Sequence, residues 1–148
     1  MVMPIHLKWM LVWEHPTPPK RCGLGGHYVP RAWLAEGLDS AVVVKGAASS
    51  WGRLSLELRS HLNSAGCVDA NITLHGFNAT CGLPAGGVTL RLRTPKAQGI
   101  TSVSVAGKPL PPRNWNATAE TVSFLAAELT ANAGGLADLQ SVHVCYAK

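Results

Sequence analysis

From about residue 40 onward, apolar and polar residues alternate along the chain with a period of two. Leu54, Leu56 and Leu58 are interleaved with Arg53, Ser55, Glu57 and Arg59. Val68, Ala70, Ile72 and Leu74 alternate with Asp69, Asn71, Thr73 and His75, and Val88, Leu90 and Leu92 with Thr89, Arg91 and Arg93. Successive side chains of a strand point to opposite faces, so each run predicts a half-buried strand. Residues 41–45 add a short β-branched run, Val103 and Val105 share a face, and so do Val122 and Phe124. The last run sets Val142, Val144 and Tyr146 against Ser141, His143 and Cys145. Turn-forming residues separate the runs, notably Asn63-Ser64-Ala65-Gly66, Pro84-Ala85-Gly86-Gly87 and Ala106-Gly107-Lys108-Pro109. A single sheet of this kind would leave one apolar face in water. The predicted fold is therefore mostly β, an antiparallel β-sandwich of about 6–8 strands. Residues 126–140 have room for one or two helical turns before Gly134-Gly135 interrupts them.

The first residues do not share this pattern. Pro16-Thr17-Pro18-Pro19 and Gly23-Leu24-Gly25-Gly26 mark residues 1–27 as an irregular lead-in or linker, which leaves 28–148 as the sandwich domain. The apolar stretch from Trp9 to Trp13 is too short for a signal-peptide core, and His6, Lys8 and Glu14 flank it. No apolar run approaches the roughly 20 residues that span a bilayer. A chain of 148 residues with 47% hydrophobic and 14% charged residues suits one folded domain and argues against disorder. The formal net charge of +5 is scattered, with no basic stripe, so nucleic acid is not an expected partner.

Cysteines and sequons change the picture. Asn71-Ile72-Thr73, Asn78-Ala79-Thr80 and Asn116-Ala117-Thr118 are glycan acceptor tripeptides in a strand's polar face or in turn-like stretches. With four cysteines they point to secretion, and the lack of a signal peptide then suggests a piece of a longer secreted protein. Four cysteines allow three connectivities. The preferred one joins Cys67 to Cys81 across a hairpin, worth about 3 kcal/mol in the chain-entropy model, and leaves Cys22 with Cys145.

Candidate chemistry is sparse. His61, Cys67, His75 and Cys81 match no closed zinc spacing, so no metal is expected. Cys22 with His27 lacks a third group to orient the base. The Gly23–Gly26 run lacks the Lys-Ser/Thr of a phosphate loop, and no cofactor is expected. Glycoside hydrolysis uses two carboxylates about 5–10 Å apart; Glu57 and Asp69 are the nearest approach to such a pair, and both face solvent on polar strand faces. No catalytic residue is assigned. Trp33, Trp51 and Trp115 fall near strand ends, where an indole either stacks on a sugar ring or anchors a loop. Trp51 and Trp115, with Arg91 and Arg93 to pair with acidic sugars, are the candidate carbohydrate-binding residues.

Trp51-Gly52-Arg53-Leu54-Ser55, then Gly87-Val88-Thr89-Leu90-Arg91-Leu92-Arg93-Thr94-Pro95, then Val103-Ser104-Val105-Ala106-Gly107-Lys108-Pro109 form an ordered set. It resembles the C-terminal β-sandwich of six-hairpin (α/α)-barrel glycoside hydrolases, with Ala106 where those domains usually carry Asn. The match covers roughly residues 45–146. The resemblance implies a non-catalytic accessory domain, whose partner is a catalytic domain in the same or a longer chain. Two other classes compete with it: a free-standing carbohydrate-binding module, and a structural or adhesion-type sandwich without ligand.

Overall fold

A computed structural model describes residues 11–15, 21–24, 30–35, 41–75, 84–124 and 138–147. The alternating runs become strands there. In chain order these are β1 (Val12–His15), β2 (Arg21–Leu24), β3 (Val42–Ser49), β4 (Gly52–His61), β5 (Cys67–His75) and β6 (Val88–Arg91). They are followed by β7 (Ile100–Val105), β8 (Lys108–Pro109), β9 (Trp115–Asn116), β10 (Thr121–Phe124) and β11 (Asp138–Tyr146). Two short 3-10 turns, Arg31–Leu34 and Pro112–Asn114, complete the described elements.

The strands form two sheets. The larger has the order β3-β4-β5-β11-β7-β8, and all its neighbours are antiparallel. The smaller has the order β1-β2-β6-β10-β9, antiparallel except where β2 lies parallel to β6. Their apolar faces share one core. Leu54, Leu56, Leu58, Val68, Ala70, Ile72, Val142 and Val144 from the larger sheet are buried together with Val12, Val88, Leu90, Val122 and Phe124 from the smaller. This is a mostly-β, sandwich-like architecture, as the alternation predicts. Val105 is the one predicted core position that is only partly buried, because it lies one strand from the sheet edge and ends at an exposed turn.

Within the expected lead-in, Val12–His15 and Arg21–Leu24 pair as a hairpin and extend the smaller sheet, with Cys22 opposite Val88. Val12 is buried in the common core, which supplies the reason for the pairing.

The β7–β8 turn is built on two left-handed residues, Ala106 at φ 48° and Gly107 at φ 77°. Positive φ at both central positions gives the turn whose twist matches a hairpin. A bulge in β3 brings the Gly46 N–H to the Ser55 hydroxyl at 3.0 Å, and a second bulge in β11 lies between Leu139 and Val142.

Candidate functional site

β5 and β11 lie side by side in the middle of the larger sheet, and their outward residues carry most of its chemistry. Cys67 opposes Cys145 and Asp69 opposes His143 in register, while His61 of β4 lies opposite Cys67 on the other side. Cys67 and Asp69 flank buried Val68, His143 and Cys145 flank buried Val144, and His61 is paired with Cys67, so the pleat puts all five on the face opposite those valines.

Cys67 and Cys145 are joined by a disulfide that spans 78 residues of sequence. This corrects the expected Cys67–Cys81 link. The Tyr146 N–H donates to the Gly66 carbonyl at 2.9 Å, which makes Cys67 and Cys145 a non-hydrogen-bonded pair of the ladder. Side chains of such pairs are the closest across an antiparallel sheet. A partner 78 residues away in sequence therefore stands directly across the ladder. With Cys145 taken, the companion Cys22–Cys145 link is excluded too. The Cys22 side chain and all of Cys81 lie outside the described residues.

Asp69 organises the remaining polar groups. Its Oδ1 lies 2.5 Å from His143 Nδ1 and its Oδ2 lies 3.4 Å from His61 Nε2. The other ring nitrogen, His143 Nε2, lies 3.2 Å from Cys145 Sγ. An ionised carboxylate can only accept, so His143 donates from Nδ1, and in the neutral ring the Nε2 lone pair points towards sulfur. Cys67 is buried and Cys145 is partly exposed.

A second polar constellation ties the two ends of the molecule's irregular segments together. Glu120 is 3% exposed and sits at φ 54°. Arg31 grips it bidentately, Nη1 to Oε1 at 2.9 Å and Nη2 to Oε2 at 2.7 Å. Oε1 also accepts from the Thr94 N–H and hydroxyl, each at 2.9 Å. Burial pushes the Glu120 carboxyl up, but the Arg31 hydrogen bonds, the two Thr94 donors and the Arg31 charge outweigh it, and the pKa falls below its ordinary value. Nearby, burial first and the Glu120 charge second raise the Tyr146 phenol far above its usual range, and its hydroxyl donates to the Leu92 carbonyl at 3.3 Å. Sequence patterning does not reveal this hub, because Arg31 and Glu120 are 89 residues apart and neither lies in an alternating run.

The other candidate residues are dispersed. Trp115 opposes Val122 and so lies on the core side of the smaller sheet, while Arg91 opposes Thr121 on its outer side. The Trp115 Nε1 is buried with no hydrogen-bond partner among the described residues. Trp51 sits in the β3–β4 turn of the larger sheet and packs against the core. Arg93 follows β6 and is partly buried. Neither tryptophan therefore joins Arg91 on the outer face of the smaller sheet.

Asn71 and Asn116 are both exposed, and the Asn116 Oδ1 accepts from the Ala119 N–H at 2.9 Å. Asn78 lies outside the described residues. Of the zinc set, His61 and Cys67 are neighbours, but His75 lies at the other end of β5, on the order of 26 Å along the strand. Its side chain, Cys81 and His27 are outside the described residues. Glu57 is held by Arg59, Nε to Oε1 at 2.7 Å.

No protein-family model matches the chain, no curated protein is significantly similar to it, and no solved structure matches its fold significantly. Among the described residues no helix is long and apolar enough to cross a membrane.

Proposed function

We propose that this chain is a non-catalytic accessory β-sandwich domain of a secreted carbohydrate-active enzyme, built to pack beside a catalytic domain in the same or a longer chain. The observation that supports this most directly is the state of its described carboxylates. Glu14 accepts from Ser50, Glu57 is paired with Arg59, Asp69 bridges two histidines and Glu120 is locked by Arg31 and Thr94. A glycosidase acid needs a raised pKa opposite an ionised partner in a cleft. Among the described residues the deeply buried carboxyl is Glu120, with its pKa lowered and both oxygens occupied, which suits a structural tie.

The cross-strand disulfide and the exposed sequon asparagines at 71 and 116 support an oxidising, glycosylating compartment. The segments that carry the resemblance form β6, which ends ahead of Pro95, and a tight β7–β8 hairpin after it.

Assaying the purified chain on aryl glycosides and plant or algal polysaccharides tests the reading. The expected result is no turnover. Turnover that disappears in Glu57→Gln or Asp69→Asn overturns it and makes the chain a small enzyme.

A further inference from the structure

The His143–Cys145 contact sets a third potential ligand atom beside the two cysteine sulfurs. Asp69 holds a proton on Nδ1, so in the neutral ring it is Nε2 that carries the lone pair, 3.2 Å from Cys145 Sγ. The same geometry is satisfied when the sulfur is a thiol, or when a cation lies between nitrogen and sulfur. His143 Nε2, Cys67 Sγ and Cys145 Sγ all lie within 4.8 Å of one another. Ligand atoms around a tetrahedral zinc stand about 3.5–3.8 Å apart, given bond lengths near 2.0–2.3 Å. Side chains of a non-hydrogen-bonded cross-strand pair can open to that spacing once the sulfurs are no longer bonded, since their Cβ atoms stand about 4.5–5.5 Å apart.

We propose that the reduced form of this disulfide is a site for a thiophilic divalent cation of the Zn²⁺ type, with Cys67, Cys145 and His143 Nε2 as ligands. Opening the site takes two electrons and two protons from an external dithiol, which leaves as its own disulfide. Cation binding then releases the two thiol protons. Asp69 is the positioning residue, holding His143 by Nδ1 in the carboxylate–histidine–metal order, while His61 steadies its other oxygen. The fourth position faces solvent on the exposed side, where His143 is 46% exposed. Because β5 and β11 are the two central strands of the larger sheet, the ligands are carried on rigid backbone. The chain is thereby either stapled or metal-loaded at one place, according to the redox state around it.

The test uses the full chain reduced with a phosphine under anaerobic conditions, with Co²⁺ as the spectroscopic probe and Zn²⁺ as competitor. The expected result is a thiolate-to-Co²⁺ charge-transfer band with tetrahedral visible bands, displaced by Zn²⁺ and absent from the oxidised chain. Asp69→Asn should weaken binding about 10–100-fold while preserving the band shape. His143→Gln should weaken it at least as much and alter the visible bands; His143 is exposed, so its replacement leaves the fold intact. Reduced chain that gives no charge-transfer band, or one whose affinity and spectrum are the same in His143→Gln, overturns the proposal. Should reduction melt the chain, added Zn²⁺ restores its circular dichroism if the site exists, and failure to restore it also overturns the proposal.

Discussion

Four described non-glycine residues, Ala97, Ala106, Glu120 and Ser141, hold left-handed backbone conformations that their side chains disfavour, and two of them make predictions. Ala106 occupies the left-handed region at the first central position of the β7–β8 turn, where a Cβ is costly and Asn is preferred. Ala106→Asn should stabilise the protein by about 1 kcal/mol and raise its melting temperature by about 2–4 °C. An unchanged or lowered melt would show that the turn is not held as described. Glu120 tolerates the same conformation because four hydrogen bonds converge on its carboxylate. Glu120→Gln keeps the backbone demand and removes the charge, so it should cost about 3 kcal/mol at neutral pH in urea unfolding. The folded-state pKa is lowered, so this stability is complete above the ordinary carboxylate pKa and is lost as pH falls through the lower folded value. The difference between wild type and variant should therefore shrink on acidification; a difference that grew with acid would assign the wrong sign to the Arg31 tie.

At the scale of elements, the strand faces were legible and their partners were not. Period two alone places Leu54, Leu56 and Leu58, or Val142, Val144 and Tyr146, on buried faces, since one face of each sheet must meet the core. Leu90 is fully buried in β6, so Leu90→Ala should cost about 2–5 kcal/mol, and a melt unchanged by it would mean that the phase of β6 is inverted. The same reading puts Asp69, His143 and Cys145 on polar faces, which is half of the candidate site. The other half is that β5 and β11 are neighbours, and nothing local encodes a pairing between segments so far apart in sequence. The hairpin of β1 and β2 was hidden for a different reason. The prolines between the two strands and the glycines around residue 24 have the composition of a linker, and only the buried Val12 and the pairing with β6 give it a place. Arg31 and Glu120 belong to segments with no period at all, so their meeting is a property of the assembled sheets.

For the molecule as a whole, the decisive bond is Cys67–Cys145. Closing a loop of this length is worth about 4.5 kcal/mol in the chain-entropy model, more than the short hairpin loop expected from sequence. Cys145→Ser, or reduction without added metal, should lower stability by about 4 kcal/mol in denaturant titration; a loss under about 1 kcal/mol would mean that the unfolded chain is not constrained by this loop. Non-reducing peptide mapping should recover residues 67 and 145 in one linked fragment. The bond has a mechanical consequence as well. A pull applied to the backbone beyond Tyr146 enters the sheet at Cys145 and passes at once, through covalent sulfur, into β5. The backbone hydrogen bonds between β11 and β5 from Asp138 to Val144 are then shielded from it, and β11 cannot be unzipped from β5 at that end. Tension from a neighbour joined there would reach the centre of the larger sheet while its ladder stayed slack.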